Sequence, residues 1–238
     1  MQKERVLVTG ASGFIGSNLL DYLLEKDYEV IGLSRQKNLP KIHPHLTWIR
    51  ALEELKHDRI DYVVNLAGES IAEGCWTDAR KQKLIASRVE MTTMLYQYLA
   101  KRKIQPKCII SGSAVGYYGI DPTEQWTECC NEQSAPQSIF MSELCQKWEQ
   151  SARQDTSQNT KIIRLGVVFG RGAGILPQML FPIKMNLCGR IGSGRQPVVW
   201  VHIQDVLRAI EFLMLHETTA QVFNVVSPEK VTQSAFAQ

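Results

Sequence analysis

The residues best suited to chemistry sit at the start of the chain. Arg5-Val6-Leu7-Val8-Thr9 is a short apolar run rich in β-branched residues, and Gly10-Ala11-Ser12-Gly13-Phe14-Ile15-Gly16 comes directly after it. An apolar helical pattern then begins, with Phe14, Ile15, Leu19, Leu20, Leu23 and Leu24. Strand, glycine turn and helix in that order are the context in which a glycine motif signals dinucleotide binding. The first amides of a helix have no intrahelical partner, and the helix dipole places partial positive charge there, so a pyrophosphate can sit on that end. Gly10 would allow the tight turn out of the strand, Gly13 the approach of phosphates to the backbone, and Gly16 close packing of the helix. The spacing, G-x-x-G-x-x-G, is one residue longer than the common fingerprint. The expected contacts of the turn with a cofactor are Gly10, Ala11, Ser12, Gly13, Phe14, Ile15 and Gly16.

Two further stretches complete such a site. A second strand reads Glu29-Val30-Ile31-Gly32-Leu33-Ser34, and Arg35 comes next, with Lys37 close by and no acid. In a dinucleotide fold the residue after this strand faces the adenosine ribose; an acid there suits NAD, whereas an arginine suits the 2′-phosphate of NADP. A guanidinium grips a phosphate with paired hydrogen bonds. Ser34 and Arg35 therefore point to NADP(H), against the alternative that Arg35 is a solvated loop charge. A fourth strand, Ile60 to Leu66, runs into Leu66-Ala67-Gly68-Glu69. Small residues at the carboxyl end of a strand let a cofactor lie on the backbone, and ligands of open α/β sheets bind at that edge.

These stretches need a frame, and the chain is long enough to build one. It has 238 residues, 44% hydrophobic and 21% charged, with a net charge of +3. That composition is ordinary for a globular α/β protein. The charge is too mild to argue for nucleic acid or an anionic membrane as a partner. No apolar run approaches the roughly 18 residues of a membrane span. The start, Met1-Gln2-Lys3-Glu4, does not read as a signal peptide. The six cysteines, Cys75, Cys108, Cys129, Cys130, Cys145 and Cys188, form neither a C-x-x-C nor a zinc spacing, which suggests reduced thiols in a cytoplasmic protein and no metal site.

The pattern predicts helices over 14–26, 77–102, 139–153, 175–187 and 203–215, and strands over 29–34, 46–49, 60–66, 108–110, 161–169, 198–201 and 222–226. In the long helix the apolar stripe is Leu84, Ile85, Val89, Met94, Leu95 and Leu99. Ser111 to Gly119 reads as a loop that carries hydroxyls to a strand's carboxyl end. From Gly170 onward glycines multiply. The expected fold is a Rossmann-type doubly wound parallel sheet, residues 1–170. A small substrate lobe, residues 171–238, interleaves with it.

Taken together, T-G-A-S-G-F-I-G at 9–16, N-L-A-G at 65–68, S-G-S-A-V-G-Y-Y-G at 111–119, R-L-G-V-V-F-G at 164–170 and G-S-G-R-Q-P-V-V-W-V-H-I-Q-D-V at 192–206 resemble the extended short-chain dehydrogenase/reductase family over essentially the whole chain. N-L-A-G-E-S-I, S-A-V-G-Y-Y-G and F-x-x-E-L-C-x-x-W-E at 140–149 resemble its atypical epimerase-like branch. The resemblance implies a catalytic serine at Ser113. It also implies a Tyr-x-x-x-Lys pair on the next helix, in which lysine lowers the tyrosine pKa for proton exchange. That pair is missing: Phe140 and Leu144 stand there in one register, Ile139 and Glu143 in the other. Tyr117 and Tyr118 are the alternative phenols, with Glu69, His202 and Asp205 as further acid/base candidates, each also readable as a packing or capping residue. Arg88 and Val167 occupy positions where family members carry asparagines, and Arg88 could bind cofactor or substrate. Arg190 and Arg195 stand in glycine turns where family members hold the diphosphate of a nucleotide sugar. The resemblance further implies a homodimer through the helices at 77–102 and 139–153, and elements beyond Gln238 that close the lobe. Two functions fit these residues: an NADP(H)-dependent oxidoreductase or epimerase acting on an unknown small-molecule carbonyl or hydroxyl, or a non-catalytic NADP(H)-binding regulator.

Overall fold

Alternating side chains on the first strand define both layers of the molecule. The structure is a computed structural model, and it describes residues 3–36, 39, 41–124, 129–171, 176 and 192–236. In β1 (Arg5–Thr9), Val6 and Val8 face one apolar core and Leu7 faces the other. Period-2 alternation of this kind places successive side chains on opposite faces of a sheet. The first core is closed by α1 (Phe14–Glu25) through Leu19, Leu20 and Leu23, and by α4 (Ile203–Leu215) through Val206, Leu207 and Ile210. The second is closed by α2 (Asp78–Arg102) through Leu95, Tyr96 and Leu99, and by Ala152 of α3 (Phe140–Ala152). Burying each such leucine contributes about 2 kcal/mol.

The sheet runs in the order β3 (Leu46–Ile49), β2 (Glu29–Leu33), β1, β4 (Tyr62–Asn65), β5 (Cys108–Ala114), β6 (Thr160–Leu165) and β9 (Val222–Val225). Every pairing in it is parallel. Strand order reverses between β1 and β4, the topological switch point at which ligands bind in open α/β sheets. This is the Rossmann-type sheet expected from the sequence. Among the described residues, no helix is long and apolar enough to cross a membrane.

Four local readings of the sequence change. The expected loop at 111–119 is strand as far as Ala114, because Ser111–Ala114 pair with Ile162–Leu165 of β6; one 3₁₀ turn, Val115–Tyr117, comes next. The single strand expected over 161–169 breaks at Gly166, where an added Cβ would lie 2.9 Å from the Val199 carbonyl oxygen. Past that close contact, β7 (Val167–Phe169) leaves the main sheet and pairs with β8 (Trp200–His202). In α2 the buried stripe is Leu84, Arg88, Thr92, Leu95, Tyr96 and Leu99, whereas Met94 is 53% exposed. Finally, α4 begins at Ile203 as expected, but its cap is His202 rather than Asp205, which lies in its first turn. The described residues end with α5 (Gln233–Phe236), capped by Thr232, which accepts from the Ala235 amide at 3.0 Å. The helix expected over 175–187 lies outside the described residues except for Leu176, as do Lys37, Cys188 and Arg190.

One buried network ties α3, β5, β6 and β9 together. Arg164 of β6 and Glu149 of α3 are each 2% exposed. The guanidinium donates to both Glu149 oxygens, Nε at 2.8 Å and Nη2 at 2.9 Å. Its Nη1 donates to the Tyr118 hydroxyl at 2.9 Å, and Tyr118 donates to Asn224 of β9 at 2.7 Å. Ser113 of β5 donates to Glu149 Oε1 at 2.8 Å. Burial by itself would lower the Arg164 pKa, but the hydrogen bonds with Glu149 and Tyr118 outweigh it and raise the value. Removing one partner of such a pair strands the other charge in the interior, at a cost of about 3–5 kcal/mol, whereas replacing both by apolar groups is often tolerated. Glu149→Leu and Arg164→Met are each expected to lower the thermal unfolding midpoint strongly, and the double variant to lose less than either. A double variant that loses as much as the two singles summed would show that the network, rather than uncompensated charge, carries the stability.

Candidate functional site

The switch point is closed by glycine contacts. Gly10 has φ +64°, and a Cβ there would lie 2.6 Å from the Leu66 carbonyl oxygen, so the turn after β1 presses on the end of β4. A Cβ at Gly16 would lie 2.3 Å from the Gly10 carbonyl oxygen and 2.8 Å from the Ala11 Cα. Gly16 thus lets helix α1 fold back on its own turn, which refines the packing role expected for it. Gly13 is the N-cap residue and donates its amide to the Gly10 carbonyl at 2.9 Å. No side chain caps α1, and its first turn holds no acid. The N-terminal end of α1 therefore keeps its partial positive charge for an anion.

The turn is held from both sides. Toward β2, the Ala11 amide donates to the Leu33 carbonyl at 3.3 Å, and the Ser12 and Ser34 hydroxyls lie 2.6 Å apart. Ser34 is buried, and Arg35 beside it is exposed. Toward β4, Thr9 donates to Asn65 Oδ1 at 2.6 Å and accepts from the Ala67 amide at 3.2 Å, and Asn65 donates to Thr92 of α2 at 2.8 Å. This buried polar chain fixes Leu66, Ala67 and Gly68 at the sheet edge. Phe14 lies against Gly170, where an added Cβ would come 2.9 Å from its ring. The expected residues of the turn, of the β2 end and of the β4 end thus come together around the switch point. Val167 belongs to the small sheet, paired with Trp200.

Glu69 turns away from the edge. Its carboxylate pairs with Arg80 at 2.8 Å and Lys83 at 3.1 Å. Hydrogen bonds from Arg80 and then Lys83 hold its carboxyl below the usual range. Arg88 is buried directly under the floor: a Cβ on Gly68 would lie 3.0 Å from its guanidinium carbon. It donates to the Glu69 carbonyl at 2.8 Å and the Leu84 carbonyl at 3.2 Å, and it stacks 5.3 Å from the Trp148 ring centroid.

The three expected catalytic hydroxyls are separated by what they bind. Ser113 is committed to Glu149, and Tyr118 to Arg164 and Asn224. The Tyr117 ring stacks on Arg164, 3.4 Å from centroid to guanidinium carbon. It lines a cleft of about 530 Å³ with Gln146, Glu149, Gln150, Arg153 and Gln154, along the flank of α3. Two other acid/base candidates have structural work: His202 Nδ1 accepts from the Gln204 amide at 3.3 Å, and Asp205 pairs with Arg208 at 3.4 Å. In the glycine turn at 192–194, Ser193 accepts from the Arg195 amide at 3.1 Å, and Arg195 lies 3.9 Å from Glu124.

Helix α3 presents a pair that neither sequence register included. A Cβ at Gly116 would lie 3.1 Å from Met141 Cε and 3.9 Å from Cys145 Sγ. Burial pushes the Cys145 thiol pKa up to about 11, against the lowering influence of the Ala114 backbone and Ser113. Met141 and Cys145, four residues apart, therefore face the turn after β5, and Phe140 instead meets Trp76, 5.6 Å between centroids. The W-E run and the arginine at 164 were visible motifs, but only the helix rotation shows which side chains face Ser113. Among the described residues no group of three or more His, Cys, Asp or Glu could hold a metal ion.

Comparison with known proteins agrees with this geometry. Residues 6–226 match the NAD dependent epimerase/dehydratase family. An epimerase family protein of Staphylococcus saprophyticus is 35% identical over an alignment that covers 98% of this chain and 78% of that one. The human epimerase family protein SDR39U1, solved with NADPH, is 33% identical with a TM-score of 0.84, over 98% of this chain and 77% of that one. The nucleoside-diphosphate sugar epimerase of Corynebacterium glutamicum is 27% identical with a TM-score of 0.80, over 99% of this chain and 49% of that one. The fold, its switch-point turn and a match across nearly the whole chain place this protein in the NAD dependent epimerase/dehydratase family.

Proposed function

We propose that this chain binds NADP(H) at the switch point and acts as an oxidoreductase or epimerase on a small carbonyl or hydroxyl substrate, without the usual tyrosine–lysine pair. The observation that carries the reading is the uncapped, acid-free N-terminus of α1, held by glycine contacts against the end of β4. Gly10, Ala11, Ser12, Gly13, Phe14, Ile15 and Gly16 would hold the pyrophosphate. Leu66, Ala67 and Gly68 would carry the nicotinamide half, with Arg88 beneath them and Glu69 anchoring the adjoining loop. Ser34 and Arg35 favour the 2′-phosphate of NADP, and the SDR39U1 relative was solved with NADPH. A bound nicotinamide would supply hydride exchange. The chain's own part would be to orient the substrate carbonyl beside Ser113 and to move a proton there, Tyr117 being the phenol whose hydroxyl is not committed to Asn224. The name of the Corynebacterium glutamicum relative supports a nucleotide-sugar-like substrate.

A second reading, a non-catalytic NADP(H)-binding regulator, is favoured by a specific observation. Ser113 already donates to Glu149, Tyr118 is held by Arg164 and Asn224, and α3 carries no tyrosine.

Titration with NADPH and NADH, monitored by nicotinamide fluorescence, tests the cofactor. NADPH should bind at least tenfold more tightly, a difference of about 1.4 kcal/mol. Arg35→Ala should remove that preference and leave NADH affinity unchanged, whereas equal affinities in the parent protein would return Arg35 to a solvated charge. Steady NADPH consumption with any member of a panel of aldehydes, ketones and keto-sugar nucleotides would establish the first reading. Tight binding without turnover, together with a change in protease sensitivity between oxidised and reduced cofactor, would establish the second.

A further inference from the structure

Three cationic side chains are buried among the described residues: Arg88, Lys161 and Arg164. Two of them have their charge answered. Arg164 is clasped by Glu149. Lys161 donates to the Leu213 and His216 carbonyls at 2.7 and 2.6 Å, at the C-terminal end of α4 where the helix dipole is negative. Arg88 differs. It is 6% exposed, and among the described residues it makes no ion pair. Its Nη groups donate to neutral acceptors, the carbonyls of Leu84 and Glu69 and the Ser87 hydroxyl. Its Nε is buried without an acceptor. The Glu69 carboxylate nearby is already shared by Arg80 and Lys83. Burial, the largest influence, lowers the Arg88 pKa, with Arg80 pushing the same way; the ordinary value is so high that the group stays charged at neutral pH.

This net positive charge lies between Gly68 and Trp148. It is close enough to Cys145, the neighbour of Ser113, for the two to interact electrostatically. The charge therefore sits under the part of the edge proposed to carry the nicotinamide half of the cofactor, and its role toward the ring rests on that reading. An oxidised nicotinamide ring carries a positive charge and a reduced ring is neutral, while the phosphates, riboses and adenine of the two forms are the same. The fixed charges around the ring therefore enter directly into the difference in their affinities. A buried cation acts strongly there, since low local polarity strengthens Coulomb interactions. We propose that Arg88 makes this site selective for the reduced cofactor, NADPH, over NADP⁺. The occupancy of such a site by NADPH follows the cofactor's redox ratio, which a protein reporting that state requires. In a reductase the same preference keeps the site charged with its hydride donor.

The test is the ratio of two dissociation constants, measured calorimetrically at constant ionic strength for NADPH and NADP⁺. The parent protein should bind NADPH more tightly by on the order of tenfold. Arg88→Lys should keep the preference. Arg88→Gln, which retains a donor for the Glu69 carbonyl but no charge, should bring the ratio close to one. Glu69→Gln, a change at the partly exposed end of the network, should raise the preference for NADPH severalfold, because it removes a negative charge that acts on Arg88; this variant serves if Arg88→Gln fails to fold. A parent protein with equal affinities overturns the proposal. So does an Arg88→Gln or Glu69→Gln variant that keeps the parent ratio, which would leave Arg88 as a strut for the Gly68–Glu69 loop. Binding of neither form would overturn the cofactor assignment itself, and the proposal with it; retained binding with an unchanged ratio overturns only the proposal.

Discussion

A bidentate ion pair sealed in the interior, Arg164 to Glu149, fixes the meeting point of β5, β6, β9 and α3. Each donor group of this guanidinium is used: two on Glu149, one shared between Tyr118 and the Glu132 carbonyl. The consequences spread outward. Tyr118 reaches Asn224 and so holds the last strand, and the Glu132 side chain accepts from the Asn224 amide at 2.9 Å. Ser113 is drawn to Glu149, and the Tyr117 ring lies over the cation. Three hydroxyl-bearing residues near the carboxyl edge are therefore oriented by one charge pair.

The other side of the edge is governed by close approach rather than charge. Gly10 and Gly16 leave no room for a Cβ, so the turn can lie against the end of β4 and the helix can start immediately. The Thr9–Asn65–Thr92 chain then locks β1, β4 and α2 at the same level. Between these two halves lies Arg88, which no carboxylate among the described residues pairs with. The molecule thus has one face built for an anion at the N-terminus of α1 and a second, buried positive charge under the neighbouring strand end.

Much of this was legible in the sequence. The glycine spacing, the apolar run before it and the absence of an acid after the second strand are read from residue types alone, because they concern backbone room and local charge. Strand and helix positions came from periodicity; most boundaries moved by one or two residues, and two changed further where a partner intervened. Ser111–Ala114 became strand because β6 lies beside it, and the run ending at Phe169 broke at Gly166 because the Val199 carbonyl comes too close for a side chain. Arg88 was visible as a departure from the family's asparagine, but its place in the buried stripe and its lack of a counter-charge were not.

The amino-acid order by itself determined the fold, the switch-point turn and the absence of a tyrosine on α3, since each depends on local steric room, alternation or identity. Only the tertiary structure decided which side chains share the edge. Helix rotation brought Met141 and Cys145, rather than Phe140 and Leu144, to the turn after β5. Residues distant in sequence, at 113, 118, 149, 164 and 224, were joined into one network. Such pairings are set by the packing of whole elements, and hydrogen bonds and Coulomb forces act only over the few ångströms that this packing fixes.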